Sequence, residues 1–143
     1  FIRRKTMKLL HIGYAARDFD TAIAGFMKMG YTKVHPEPAM QPVKNLKVMK
    51  LTQGDVVIEI MSTADAAKES FVTAPLAETS KDLVVFHLAY TVENIEDAVK
   101  ELTATGDFVL LEPIEIGGGG SCKYCYMQGR IVGLIELLVF LNK

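Results

Sequence analysis

The chain has 143 residues, 50% of them hydrophobic, and a net charge of -1 from 16 basic and 17 acidic residues. This length predicts one domain with its own core, and balanced charge without a basic stripe among aromatics argues against a nucleic-acid partner. The absence of a run of about 18 apolar residues predicts a soluble protein without a membrane span. Two cysteines, Cys122 and Cys125, are too few for a disulfide framework and favour the cytoplasm.

Residues 1–6 are brief, basic and lack the apolar stretch of a signal peptide. With Met7 close behind, they are interpreted as a leader or cloning remnant. A single domain is expected over residues 7–143, with a first module at 7–62, a linker at 63–82 and a second module at 83–143. The linker is rich in Ala, Thr and Ser, and a short helix is expected at residues 64–70.

The first module begins with KLLHIGYAA, which is typical of a buried strand. Asp18 is a suitable N-cap for the amphipathic helix that follows, and Gly30 ends that helix. Three strand-like segments come next, namely YTKV, NLKVMKL and VVIEIMS, and the turn sequence TQGD joins the last two. The module therefore reads as strand, helix and three strands.

The second module repeats this order from VVFHLAYTV, with Asn94 as the helix cap and Gly106 as its left-handed C-terminal residue. The later strands are FVLLEPIEI, CKYCYM and GLIELLVF. An offset of 76 superposes His11 on His87, and one inserted residue then superposes Glu59 on Glu136. Two copies of one mixed unit predict an α+β domain, and they exclude a solenoid.

Four ionisable side chains interrupt these apolar strands: His11, Glu59, His87 and Glu136. A single histidine or glutamate in such a strand is more often a core or edge residue. Recurrence of both types at the same positions in both modules favours a shared role, because a buried carboxylate without a partner costs several kcal/mol. Two imidazoles and two carboxylates suit one divalent ion of Zn, Ni, Co, Fe or Mn.

The segments HIGYAARDFDTAI, GDVVIEIM, FHLAYTVENIEDAV and GLIELL resemble the vicinal oxygen chelate superfamily. This superfamily includes glyoxalase I, methylmalonyl-CoA epimerase, extradiol dioxygenases and the bleomycin and fosfomycin resistance proteins. The resemblance covers nearly the whole chain from Met7. It implies a glyoxalase-like fold, in which two βαβββ modules form a cup-shaped mixed β-sheet. It also implies the metal ligands His11, Glu59, His87 and Glu136.

The resemblance implies a metal-dependent isomerase or lyase that transfers a proton beside the carbonyl of a thioester or hemithioacetal. The activity would be like that of methylmalonyl-CoA epimerase or of lactoylglutathione lyase, and a homodimer is expected. Glu136 is the first choice of base, and Glu59 is the symmetric candidate. The stretch EPIEIGGGG is similar to a glycine-rich loop of the epimerases, whereas NLKVMKL offers lysines where some of them carry a second acid.

Two other functions remain open, a small-molecule binder of the bleomycin-resistance type and a non-haem iron dioxygenase. A pure binder would gain stability from apolar residues in place of the four ionisable ones. The sequence does not determine the substrate, the thiol carrier or the metal. It also does not determine whether the site lies within one chain or across a dimer. Gly117–Gly120 either contacts substrate or forms a flexible loop, and Lys44, Lys47 and Lys50 either meet an anionic carrier or form a solvated face.

Overall fold

The computed structural model of the protein describes residues 7–141, so the remnant expected at residues 1–6 lies outside the described residues. The elements, in chain order, are β1 (Lys8–Ala16), α1 (Phe19–Lys28), β2 (Thr32–Lys33), β3 (Ala39–Gln41), β4 (Leu46–Gln53), β5 (Val56–Thr63), α2 (Thr73–Ala77), β6 (Leu83–Thr91), α3 (Ile95–Ala104), β7 (Phe108–Leu110), β8 (Glu115–Gly117), β9 (Cys122–Gly129) and β10 (Gly133–Phe140). A short 3-10 turn covers Gly118–Gly120. The predicted α+β class is confirmed.

The chain forms two compact units. Among the described residues, the N-terminal unit is His11–Phe86, and the C-terminal unit comprises residues 87–141 together with residues 7–10. Among residues 7–141, the helices are all too short or too polar to cross a membrane.

The N-terminal unit is a mixed sheet with strand order β2-β4-β5-β1, in which β1 and β5 are parallel. The short β3, which the sequence did not predict, pairs with the start of β4. Helix α1 packs on one face, where Phe19 and Ile23 are buried against Met49, Leu51 and Ile60. Burying side chains of this size stabilises the fold by about 1.5–3 kcal/mol each.

The opposite face of this sheet is covered at one end by the segment that contains α2. Val72 and Leu76 pack there with Leu46, Val48 and Met61. Strand alternation places His11 and Glu59 on this same face, because Glu59 and Met61 are two residues apart on β5. One end of the face is therefore apolar and covered, and the other carries the ionisable pair.

The helix expected at residues 64–70 is wrong, because α2 lies further along the chain at Thr73–Ala77. Asn45 explains the difference, since its side-chain amide donates to the carbonyls of Asp65, Lys68 and Glu69, and its oxygen accepts from the amide of Asp65. These bonds hold the segment in turns. Pro75 is tolerated in the first turn of α2, where its missing N–H would have no helical partner.

The C-terminal unit has the equivalent order β6-β10-β9-β7, with β6 and β10 parallel. Helix α3 packs on one face over a cluster that includes Ile95, Met127, Ile135 and Leu137. The predicted strand FVLLEPIEI is divided into β7 and β8, both paired with β9. Pro113 lies between them and has no N–H for a ladder hydrogen bond, which accounts for the interruption.

Both predicted helix caps are confirmed. The side chain of Asp18 accepts from the amide of Thr21 at 3.0 Å, and that of Asn94 accepts from the amide of Asp97 at 2.9 Å. We expect Asp18→Ala and Asn94→Ala each to lower the free energy of unfolding by about 1 kcal/mol, measured by urea denaturation. Asp18→Asn keeps the acceptor oxygen and should stay close to the parent, so an equal loss in Asn and Ala variants would contradict a capping role.

Candidate active site

The first ionisable pair lies on the two parallel strands of the N-terminal unit. His11 is on β1, and Glu59 on β5 is opposite Gly13, two residues beyond His11 and on the same face. Nε2 of His11 is 3.3 Å from Oε1 of Glu59, and the exposed fractions of the two side chains are 5% and 14%.

The C-terminal unit repeats this arrangement. His87 is on β6, and Glu136 on β10 is opposite Ala89, again two residues beyond the histidine. Nε2 of His87 is 3.4 Å from Oε1 of Glu136, and the histidine is buried. The two units therefore carry the same pair, in the same register and at the same spacing.

This geometry suits a metal site. In each pair, the imidazole nitrogen and the carboxylate oxygen are about as far apart as the ends of a long hydrogen bond. Two lone pairs this close would repel each other, so the two atoms must share either a proton or a cation. Nitrogen and oxygen donors without thiolate suit Zn, Ni, Co, Fe and Mn. The donor chemistry of each pair thus fits the divalent ion that the sequence predicts.

The family of the chain follows from a comparison with family models. The model of the Glyoxalase/Bleomycin resistance protein/Dioxygenase superfamily matches residues 10–126. The chain belongs to this superfamily. The match includes His11, Glu59 and His87 and ends before Glu136, so the fourth residue rests on the internal repeat and the shared register.

Solved structures of similar fold include a hypothetical protein from Bacillus halodurans C-125, with TM-score 0.80 and 18% identity over 97% of this chain and 98% of that one. Methylmalonyl-CoA epimerase from Mycobacterium tuberculosis has a TM-score of 0.78 and 19% identity, over 99% of this chain and 94% of that one. A third structure is a variant of Streptomyces coelicolor methylmalonyl-CoA epimerase in complex with 2-nitronate-propionyl-CoA. It has a TM-score of 0.76 and 16% identity, over 96% of this chain and 100% of that one. At these identities the likeness shows the glyoxalase-like fold. A comparison with curated proteins gives no match.

The two pairs of this superfamily member differ in their cross-strand neighbours. Lys50 on β4 is opposite Glu59, with Nζ 3.9 Å from Oε2. Tyr126 on β9 is opposite Glu136, and its ring is edge-on to that of His87 with centroids 5.5 Å apart. One carboxylate therefore has a cationic neighbour, and the other an aromatic one.

The sequence analysis considered Lys50 only as a contact for an anionic carrier or as part of a solvated face, and it did not single out Tyr126. The hairpin register would have found both, since each lies directly across an antiparallel pair from a glutamate. The register depends on how many residues the turn takes, and the turns here differ in length. Lys50 and Tyr126 are related by the offset of 76 that also relates the two histidines, whereas the glutamates opposite them are related by 77, because the second turn is one residue longer.

The three lysines considered together in the sequence lie in different environments. Nζ of Lys44 is 4.7 Å from the ring centroid of Phe71, and that of Lys47 is 5.0 Å from the ring centroid of Phe19 on α1. Lys50 lies on the opposite face of β4 from Lys47, beside Glu59. The three do not form one basic face, and of them Lys50 is the one next to the ionisable pair.

The glycine-rich segment is linked to the site by aromatic contacts. A Cβ on Gly117 would lie 2.7 Å from the ring of Tyr124, so a larger residue there would displace that ring. The Tyr124 ring is edge-on to Tyr126, whose ring contacts His87. The two cysteines belong to different clusters on opposite faces of β9, which rules them out as joint ligands of one ion.

Burial raises the pKa of Tyr124 to about 12, and Glu115, which accepts its hydrogen bond at 3.2 Å, adds to the effect. The folded protein thus holds this proton more tightly than an ordinary tyrosine with a pKa of 10.0. The contribution to stability is complete below pH 10 and is lost as pH rises through about 12. We expect a late component in the tyrosinate absorbance titration, absent from Tyr124→Phe; an unchanged high-pH component in that variant would assign it to another tyrosine.

A concave region of about 490 Å³ lies on the α1 side of the N-terminal sheet. Its lining includes Phe19, Ile23, Met27, Lys33, Lys47 and Met49. Met49 and Lys47 face away from Glu59, because alternate residues of β4 lie on opposite faces. This concavity is therefore separate from the ionisable pair.

Proposed function

We propose that this protein binds one divalent metal ion through His11, Glu59, His87 and Glu136. We further propose that it is an enzyme that transfers a proton next to the carbonyl of a thioester or hemithioacetal. The observation that supports this is the recurrence of a buried His–Glu pair in the same strand register in both units. Chance recurrence is disfavoured because each pair places a carboxylate in a largely buried position.

The proposed ion compensates the buried carboxylates. Apolar side chains of similar size would pack in these strands at lower cost, so retention of both pairs is explained better by a ligand than by stability. When bound, such an ion acts as a Lewis acid that stabilises negative charge developing on a substrate oxygen. The four side chains would hold it with their imidazole nitrogens and carboxylate oxygens.

Glu136 is proposed as the base, with Glu59 as the alternative. Oε1 of Glu59 contacts His11, and its Oε2 faces Lys50, which competes with a substrate proton for that oxygen. Glu136 is opposite the small Ala89 and across from Tyr126, and its side chain is 10% exposed, so its carboxylate is largely shielded from water. The carboxylate would accept the proton of the substrate carbon, and a proton added to the opposite face of that carbon, or to the neighbouring carbon of a hemithioacetal, would complete the reaction.

The substrate is proposed to be a small molecule with a thiol carrier. Fold likeness to methylmalonyl-CoA epimerases, one of them in complex with methylmalonyl-CoA, supports a CoA thioester. Lactoylglutathione lyase chemistry is the second candidate within the same superfamily. We also propose that the protein is a homodimer and that it is cytoplasmic. The two buried, free cysteines suit a cytoplasmic location, because a reducing compartment keeps thiols unpaired.

The test joins metal analysis to proton exchange. The purified protein should hold about one divalent ion per chain, and in deuterium oxide it should exchange the α-proton of methylmalonyl-CoA or convert a glutathione hemithioacetal. The rates are followed by NMR, with chelator-treated protein as the control. Stoichiometric binding of substrate without exchange would favour the binder, and oxygen consumption with a catechol would favour the dioxygenase.

A further inference from the structure

The N-terminal pair has a cation beside it that the proposed chemistry does not use. The side chain of Lys50 is 44% exposed, and its Nζ is 3.9 Å from Oε2 of Glu59, beyond hydrogen-bonding distance. This is a loose ion pair in a position open to solvent. Pairs of this kind contribute little to stability, about 0–1 kcal/mol, so stability alone is a weak reason for the lysine.

Lys50 lies beside one of the proposed metal ligands. Glu59 touches both Lys50 and His11, at 3.9 Å and 3.3 Å, so the ammonium is one side chain away from the proposed metal ligands. An ammonium group has three donors and no acceptor, and it forms charge-assisted hydrogen bonds with carboxylate or phosphate oxygens. A substrate oxygen bound at the proposed ion would therefore have an anion-binding group beside one of the ligands of that ion.

We propose that Lys50 binds an anionic oxygen of the substrate, and that this oxygen belongs to a carboxylate on the acyl group. This inference rests on the proposed function and narrows it to a malonyl-type thioester, because the reacting part of a glutathione hemithioacetal carries no charge. A phosphate of the carrier has the same chemistry. The acyl carboxylate is preferred because the pantetheine arm separates those phosphates from the thioester by many bonds, whereas Lys50 is adjacent to Glu59, a proposed ligand of the ion that would stabilise the substrate oxygen.

The test compares ligands with and without the carboxylate. Methylmalonyl and propionyl thioesters of N-acetylcysteamine lack carrier phosphates, and their dissociation constants are measured by calorimetry with metal-loaded and with chelator-treated protein. We expect the parent to prefer the methylmalonyl ligand by roughly tenfold or more, the size expected for a hydrogen bond between charged groups. Lys50→Met should remove most of this preference in both metal states, and Lys50→Arg should keep it.

Lys47→Met is the matched control, since it removes the same charge from the opposite face of β4, where Nζ lies over the ring of Phe19. It should keep the preference of the parent. The proposal would be overturned if the parent showed no preference for the methylmalonyl ligand, or if Lys50→Met kept the full preference. It would also be overturned if Lys50→Met weakened the binding of CoA thioesters only, with or without the acyl carboxylate. That result would assign Lys50 to the carrier phosphates. Absence of α-proton exchange with the preference intact would instead refute the proposed function alone.

Discussion

Glu136→Gln is expected to reduce α-proton exchange by about 100-fold or more, the usual contribution of a general base. The amide keeps the size of the side chain and can offer its oxygen to a metal, but it does not accept a substrate proton at neutral pH. Exchange is measured in deuterium oxide on a methylmalonyl thioester and on a glutathione hemithioacetal, with metal content determined on the same samples.

The control for this variant is Glu115→Gln in the same unit, where the exposed carboxylate accepts a hydrogen bond from Tyr124 and is not one of the four proposed metal ligands. It should exchange at the parent rate. If Glu136→Gln keeps its metal and also exchanges at the parent rate, the base is another group, and Glu59→Gln becomes the decisive variant. A fall in melting temperature with unchanged exchange would give Glu136 a structural role only.

His11→Ala and His87→Ala should each lose most of the bound metal. Each removes one of four proposed donors and leaves its partner carboxylate, Glu59 or Glu136, without the imidazole at 3.3 or 3.4 Å. The metal-to-protein ratio is measured by elemental analysis after dialysis against a chelator. Circular dichroism confirms that the variants are folded.

His35→Ala is the matched control, because this third histidine is exposed and lies outside the strands. It should hold the same amount of metal as the parent. Stoichiometric metal in both His11→Ala and His87→Ala after dialysis would place the ion elsewhere in the molecule.

The sequence alone was sufficient for the first strand and the first helix of each module and for the residues of the two pairs. Apolar alternation and the 3.6-residue period are local, so β1, α1, β6 and α3 are predicted close to their observed bounds, and Asp18 and Asn94 cap the helices as expected. His11, Glu59, His87 and Glu136 stand out because each interrupts an apolar run at a repeated position. The superfamily followed from the same segments.

The tertiary structure decided what local patterns do not encode, which is the partner of each residue across a pair of strands. Alternation specifies the face of a side chain, but the opposing residue depends on register, and a shift of one residue changes it. The neighbours Lys50 and Tyr126 therefore emerged from the folded chain, although Glu59 and Glu136 were predicted. Helix α2 was misplaced for a similar reason, since the distant Asn45 holds residues 65–69 in turns and Val72 and Leu76 are buried further along.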